Sequence, residues 1–247
     1  MKFFLISLWF LSVVVSAGEV SIAVSTNAGH VMGELKTEFI KENPDIDVKI
    51  TLASSGILLK HIRKGSDYGV FMSANMDYPQ ALYDDKIAIT KPLVYAQGAL
   101  AFFSTTPQDF FKGMDLLKTD AIKHVAIADP KTAPYGKAAI EALKDAGIYK
   151  EIKHKIIYAK NIGQAFTYTV MAAEIGIVSK SSLFSPKMKR YQEGIGWTTV
   201  NPGLYAPIRQ GIVLLENAKD NNEYKTFYNF VLSNKAKRIF QKYGYIY

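Results

Sequence analysis

Hydroxyl and amide side chains recur in this sequence where a β-branched, apolar segment ends and an amphipathic segment begins. Two such joins lie in the N-terminal third of the chain, the first after Val24 and the second after Leu52. Side chains of this kind can cap a helix N-terminus, which is the simplest interpretation. The same N–H and O–H donors can instead hold an anion. The polar residues at these two joins are Ser25, Thr26, Asn27, Ser54 and Ser55.

Two further joins occur later in the chain, one after Ala128 and one after Tyr158. The first contains Asp129 and a proline at a predicted helix start, and the second contains Asn161. In open α/β sheets, ligands bind outside the carboxyl ends of the strands, where helix N-termini offer free N–H groups and positive dipole ends. We therefore expect four such joins to converge on one cleft.

The sequence argues against catalysis at these joins. Ser54 and Ser55 lack the G-x-S-x-G pattern of a hydrolase nucleophile. Asp129 precedes a proline and is more typical of a turn than of a general base. The four histidines are scattered and have no metal-ligand spacing, so no metal cation site is predicted. They are His30, His61, His124 and His154.

The joins alternate with segments of strand and helix character along the whole chain, which is typical of an α/β protein with βαβ units. The predicted strands cover residues 20–24, 47–52, 70–72, 99–103, 125–128, 156–158, 176–178 and 211–215. The predicted helices cover residues 29–41, 57–63, 77–84, 109–117, 135–146, 163–173 and 223–243, and the last can break near Ser233.

The N-terminus predicts export. A basic residue, an apolar run and small residues ending at Ala17 are typical of a cleavable signal peptide over residues 1–17, and the run is short for a membrane anchor. The chain has no cysteine, which excludes disulfides, thiolate metal sites and a lipidated cysteine. The formal net charge is +8, and the basic runs are interpreted as solvated helix faces because nucleic acid is a poor partner for an exported protein.

Several short motifs together resemble the periplasmic molybdate-binding proteins of ABC importers over essentially the whole exported chain. The resemblance implies a two-lobed, type II periplasmic-binding-protein fold, with a helix-flanked sheet in each lobe and the ligand cleft between the lobes. It implies one lobe from residues 18–97 with 210–247 and another from residues 98–209. The motifs are Ala53-Ser54-Ser55, Phe71-Met72-Ser73-Ala74, Asp129-Pro130 with Pro134-Tyr135-Gly136, Gly176-Ile177-Val178 and the terminal IFQKYGY.

The resemblance also implies a set of oxyanion ligands. A side-chain donor after the first strand falls on Asn27, or on Ser25 or Thr26 if the loop shifts, and a second falls on Ser55. Backbone N–H groups are expected from Tyr135 and Ile162. The family's last donor is a tyrosine, whereas this chain has Ser179, and Tyr205 or Tyr135 could fill the space.

The expected function is binding of molybdate, and possibly tungstate, in the periplasm and delivery to the membrane permease of an ABC importer. We expect a monomer with no cofactor, no nucleic-acid partner and no catalytic activity. The residues alone leave open a periplasmic, dehydratase-like enzyme using Asp129 or Glu174, and a carrier for a small carboxylate using Lys131 or Lys160. An iron or phosphate carrier is a third alternative.

Overall fold

A computed structural model describes residues 18–247, which form two five-stranded sheets with helices packed against them. The predicted signal peptide lies outside the described residues. Among residues 18–247, no helix combines the length and the apolar character needed to cross a membrane. The two sheets with their packed helices confirm the predicted α/β fold class.

The first sheet has the strand order β2-β1-β3-β10-β4. Strands β1, β2 and β3 are parallel, and β10 runs antiparallel to both of its neighbours. The strands are β1 (Gly18–Ser25), β2 (Ile46–Ala53), β3 (Val70–Met72), β4 (Leu93–Gly98) and β10 (Ile208–Leu214).

The second sheet has the strand order β7-β6-β8-β5-β9. Strands β6, β7 and β8 are parallel, whereas β5 is antiparallel to β8 and to β9. The strands are β5 (Leu100–Phe103), β6 (Val125–Ala128), β7 (Ile156–Ala159), β8 (Ile175–Ser179) and β9 (Trp197–Thr199).

Helices follow most of the parallel strands, as the alternating pattern predicts. The α-helices are α1 (Gly29–Glu42), α2 (Ser55–Arg63), α3 (Asp77–Asp84), α4 (Pro134–Asp145), α5 (Tyr149–Ile152), α6 (Ile162–Met171), α7 (Asn222–Leu232) and α8 (Asn234–Lys242). Short 3-10 helices cover Thr26–Ala28, Phe110–Lys118, Lys153–Lys155, Lys180–Phe184, Pro186–Met188, Pro202–Leu204 and Glu216–Ala218.

The first sheet is buried on both faces because its central strands carry apolar residues on both sides. Ile22 and its same-face neighbours pack with Phe39, Phe227 and Phe240 of the helices α1, α7 and α8. Ala23 lies on the opposite face, in a smaller cluster that includes residues of α2 and α3. Packing on both faces holds the carboxyl end of β1 in a fixed position, and β2 is held by its parallel pairing with β1.

The chain passes between the sheets at two places. Strand β4 ends at Gly98 in the first sheet, and β5 begins at Leu100 in the second. The return runs from Thr199 to Ile208. Strand β10 then pairs with β4, with an irregularity in register between Gln210 and Gly211.

The structure differs from the predicted elements in several places. Strands β4 and β9 were not predicted, because each is an edge strand and β4 exposes Leu93 and Val94 instead of alternating cleanly. The predicted helix over 109–117 is a 3-10 helix interrupted at Gly113, whose φ of 53° lies in the left-handed region that favours glycine. The break at Ser233 is confirmed, since Ser233 Oγ caps α8 by accepting from the backbone N–H of Ala236.

Two phenylalanines test the packing of the first sheet. Phe39 is fully buried and contacts Phe227 and Phe230 edge-to-face, with ring centroids 5.1 and 5.4 Å away. Phe39→Ala should lower the free energy of unfolding by about 3–5 kcal/mol. Phe111→Ala should change it by less than about 0.5 kcal/mol, because Phe111 is fully exposed. Urea denaturation of both variants measures this difference, and equal effects would contradict the described core.

Candidate functional site

The first two joins meet through a chain of hydrogen bonds between buried hydroxyl groups. Ser55 Oγ donates to Ser25 Oγ at 3.0 Å and accepts from the backbone N–H of Ala74 at 2.9 Å. Ser25 and Ser55 are both buried at the carboxyl ends of the parallel strands β1 and β2. Because Ser25 Oγ accepts the hydrogen bond from Ser55 Oγ, its own proton remains available to another acceptor.

Two other hydroxyls at these joins are buried without a partner. Ser54 occupies the N-cap position of α2, yet its side chain makes no capping hydrogen bond. Ser54 Oγ and Thr26 Oγ1 have no hydrogen-bond partner among the described residues. An unsatisfied buried polar group costs roughly 1–3 kcal/mol, so each is a candidate for a ligand contact. The resemblance implies Ser55 as a ligand residue and does not include Ser54.

Loops of the two sheets contact each other directly. The backbone N–H of Gly56 donates to the carbonyl oxygen of Thr132 at 2.9 Å. Ser181 Oγ donates to the backbone carbonyl of Asn27 at 3.1 Å. Thr26 lies against Gly163, where an added Cβ would be only 2.7 Å from Thr26 Cγ2. The four joins therefore converge between the two sheets, as the topology predicts.

Two helix N-termini of the second sheet contribute to the same region. Helix α4 begins with Pro134, which suits a first helical position because its missing N–H is not needed there. Helix α6 begins after Asn161, whose Oδ1 accepts from the backbone N–H of Gln164 at 2.9 Å. The backbone N–H groups of Tyr135 and Ile162 lie in first turns, where no intrahelical acceptor exists.

A network of amide and tyrosine side chains surrounds Asn27. Asn27 Nδ2 donates to Gln210 Oε1 at 2.8 Å and to the Tyr245 hydroxyl at 3.1 Å. Gln210 Nε2 donates to the Tyr135 hydroxyl at 3.2 Å, and the Tyr95 hydroxyl donates to Gln210 Oε1 at 2.7 Å. Sequence reasoning missed Gln210 and Tyr245, because they lie 183 and 218 residues from Asn27 in the chain.

Ser179 pairs with Leu100 of β5, whose backbone N–H binds Tyr205, one of the two tyrosines named as candidates to fill the space of the family's tyrosine. Ser179 ends β8, and Ser181, two residues later, reaches Asn27. The hydroxyl of Tyr205 accepts from the backbone N–H of Leu100 at 3.0 Å and so binds the second sheet. Tyr135 belongs to the network around Asn27, and the hydroxyl of Tyr245 accepts from Asn27 Nδ2.

The buried polar side chains are neutral. Every polar residue that the described chain buries is a serine, threonine, asparagine or glutamine. Asp129 is partly exposed, and its Oδ1 accepts from the backbone N–H of Lys131 at 2.9 Å, which is a turn contact. The side chains of Lys131 and Lys160 are exposed. No group of histidine and carboxylate side chains within residues 18–247 could hold a metal ion.

Glu174 does not belong to this region. It precedes β8, whereas the joins lie at the opposite, carboxyl ends of the parallel strands. Partial burial favours its protonated form, but hydrogen bonds from the backbone N–H groups of His124 and Lys123 outweigh that effect and lower the pKa of Glu174. Glu174 is therefore an ionised residue of a distant loop.

One groove of the described chain lies beside the first two joins and reaches the third at Pro130 and Pro134. Its volume is about 770 Å³, and it runs along α4 and the return segment that precedes β10. Charged side chains of both signs line it, including Asp77, Lys137 and Arg209. The buried hydroxyls Ser54 and Ser25 are not part of this groove. Its lining therefore differs in chemistry from the neutral donors between the sheets.

Two sheets joined by two crossings, with neutral donors buried between their strand ends, define a periplasmic-binding-protein fold. The chain belongs to the bacterial extracellular solute-binding protein family, whose model matches residues 20–246. It is 33% identical over 238 residues to the molybdate-binding protein ModA of Rhodobacter capsulatus, covering 96% of this chain and 91% of that protein. It is 32% identical to the molybdate-binding protein ModA of Azotobacter vinelandii, covering 95% and 92%.

A solved structure supports the same assignment. The Azotobacter vinelandii periplasmic molybdate-binding protein superposes with a TM-score of 0.84 and 26% identity, covering 92% of this chain and 99% of that chain. The resemblance to the periplasmic molybdate-binding proteins is therefore confirmed over almost the full length.

The buried tyrosines predict a loss of stability at alkaline pH. Burial raises the pKa of Tyr245 to about 12 and raises the pKa of Tyr95 and Tyr135 well above the ordinary value. A tyrosine in the unfolded chain ionises near pH 10. Between about pH 10 and 12, Tyr245 is therefore ionised in the unfolded chain and protonated in the folded protein. The free energy of unfolding should fall in this window, by up to about 1.4 kcal/mol per pH unit for each such tyrosine.

Tyr245→Phe should make that fall shallower, because it removes one of the groups that stays protonated in the folded protein. Urea denaturation at intervals from pH 9 to pH 11.5 gives the slope for both proteins. The same slope in the variant would contradict the burial of the Tyr245 hydroxyl.

Proposed function

We propose that this protein binds a tetrahedral oxyanion, molybdate or tungstate, between its two sheets and delivers it to the permease of an ABC importer. The observation that carries the proposal is the set of buried, neutral donors where four strand ends meet. Thr26 Oγ1 and Ser54 Oγ, which lack partners among the described residues, are the strongest members of that set.

The chemistry of the donors matches a fully ionised oxyanion. Such a dianion has acceptor oxygens only, so a suitable site offers N–H and O–H donors and no carboxylate. Helix N-termini supply positive partial charge without a formal counter-charge. The absence of buried acidic or basic side chains in the described chain argues against an acid–base enzyme and against a site built around a carboxylate–arginine pair.

The proposed ligand residues extend the set implied by the resemblance. Ser25 and Thr26 donate through their hydroxyls, and Ser54 joins them because its hydroxyl is buried and unpartnered among residues 18–247. Ser55 contributes the N–H at the start of α2 and orients Ser25 through its own hydroxyl. The remaining proposed contacts are Asn27, Ser179 and the backbone N–H groups of Tyr135 and Ile162.

Selection between anions follows from size. A cleft built for long metal–oxygen bonds holds sulfate loosely, since each donor is then too far from its oxygen. Ser179 is shorter than a tyrosine and leaves additional space in the cleft. A large anion loses less affinity because of this space than a small anion does. We therefore propose that molybdate and tungstate bind far more tightly than sulfate, and that Ser179→Tyr alters affinity without altering the fold.

The remaining parts of the proposal concern the whole chain. Residues 18–97 with 210–247 form one lobe and residues 98–209 the other, with the boundary at the end of the first sheet where Gly98 of β4 pairs with Ile208 of β10. Closure of the lobes buries the anion. Residues 1–17 direct export to the periplasm and are removed. The exported protein is a monomer, works without a cofactor and catalyses no reaction, and the closed form is what the permease recognises.

A thermal shift panel tests the proposal. Ligand that binds only the folded state raises its stability by RT ln(1 + [L]/Kd), so a tight ligand stands out. We expect molybdate and tungstate to raise the melting temperature at micromolar concentration, and sulfate, phosphate, small carboxylates and amino acids to have much smaller effects. A shift with a carboxylate or an amino acid alone would overturn the proposal.

Adjacent serines give a sharper test of the site. Ser54→Ala removes a hydroxyl without a partner, so it should weaken molybdate binding about tenfold or more and leave the free energy of unfolding of the ligand-free protein unchanged or higher. Ser55→Ala should also destabilise the ligand-free protein by about 1–3 kcal/mol, because the buried N–H of Ala74 loses its acceptor. Calorimetry and urea denaturation separate the two, and undiminished affinity in Ser54→Ala would make Ser54 a plain N-cap residue.

A further inference from the structure

We infer that Gln210 is a positioning residue that decides which atom of the Asn27 side chain faces the bound anion. The inference rests on the proposed function, because it concerns how an oxyanion is received. It assigns a role to a side chain outside the proposed ligand set, on the strand that returns to the first sheet.

The position of Gln210 suits such a role. It is fully buried in β10, at the register irregularity beside Gly211. Its Oε1 accepts from Asn27 of the first sheet's loop, and its Nε2 donates to Tyr135 of helix α4 beside the second sheet. Gln210 therefore links two residues of the proposed site that belong to different halves of the structure.

The direction of the hydrogen bonds creates a conflict at Asn27. Its Nδ2 is used by Gln210 and Tyr245, and its Oδ1 is buried without a partner among the described residues. A fully ionised oxyanion has no proton to give to Oδ1. A half-turn of the Asn27 amide would exchange Oδ1 and Nδ2 and offer an N–H instead, but Oδ1 would then face Oε1 of Gln210.

The network can reverse to remove that conflict. If the Gln210 amide also makes a half-turn, its Nε2 donates to Asn27 Oδ1 and to the hydroxyl of Tyr95. Its Oε1 then accepts from the hydroxyl of Tyr135. A tyrosine hydroxyl both donates and accepts, so Tyr95 and Tyr135 stay paired without movement of the backbone. The hydroxyl of Tyr245 then turns its proton from the backbone carbonyl of Asn27 to Asn27 Oδ1, and that carbonyl keeps its hydrogen bond from Ser181 Oγ. Asn27 can thus present an N–H to the anion only when residue 210 can act as a donor toward Asn27.

A double-mutant cycle tests this coupling. Gln210→Met keeps the length of the side chain and removes both its donor and its acceptor. We expect it to weaken molybdate binding at least about tenfold in the wild-type background and less than about twofold in the Asn27→Ala background, measured by calorimetry with sodium molybdate. Gln108→Met, at a partly exposed loop position outside the proposed ligand set and the network around Asn27, is the control and should bind as the wild type does.

The outcomes separate this inference from the proposed function. If the wild-type protein binds neither molybdate nor tungstate, the proposed function fails and the inference fails with it. If the wild type binds and Gln210→Met binds equally well, or loses as much affinity in the Asn27→Ala background as in the wild type, only the inference fails.

A second variant covers the case in which Gln210→Met does not fold. Gln210→Glu keeps the shape, but its carboxylate only accepts and so holds Asn27 Nδ2 away from the anion. We expect weak molybdate binding at pH 8 that recovers partly toward pH 5 as the carboxyl is protonated, whereas Gln108→Glu should show the wild-type pH profile. Wild-type affinity of Gln210→Glu at both pH values would overturn the inference.

Discussion

The need to pair buried polar atoms governs the region where the two sheets meet. Four strand-to-helix joins place hydroxyl, amide and N–H groups there, and the close contact of the loops excludes water from many of them. Some donors pair within the protein, as Ser55 does with Ser25. Others, such as Ser54, have no partner in the described chain. Since an unpaired buried donor is costly, the folded protein is stabilised by any anion that fits these donors.

Close approach of the loops depends on residues that lack a side chain. An added Cβ at Gly56 would lie 2.9 Å from the carbonyl oxygen of Thr132, so the contact between the two halves requires glycine or a shift of the loop. An added Cβ at Gly98 would collide with the hydroxyl of Tyr135, the group that accepts from Gln210. Glycine at these two positions lets the site loops and the network behind them occupy the same small space.

The sequence pattern predicts the features that depend on neighbouring residues in the chain, which are the helices, the strands and the loops between them. Alternating apolar and amphipathic segments predict the α/β fold, and hydroxyls after strands predict which loops converge. The partners of Asn27 could not be found this way, because Gln210 and Tyr245 are brought to it by the return strand and the C-terminal segment rather than by spacing. The sequence pattern also could not show which of the two serine hydroxyls, Ser54 or Ser55, is unpaired. That depends on tertiary contacts, because Ser55 Oγ is already paired with the N–H of Ala74 and with Ser25 Oγ.

The charged side chains lie outside the site, so the groups that attract anions differ from the groups that select among them. The chain carries a formal net charge of +8, and Lys131 and Lys160 are exposed on the loops that lead to α4 and α6. Charges at such positions attract anions of every kind over a Debye length and are screened by salt. A lysine inside the site would bind sulfate, phosphate and carboxylates with little distinction, because a point charge imposes weak geometry. Neutral donors fixed by helices and by the amide network act only at hydrogen-bond distance, so they discriminate by the size and protonation of the anion.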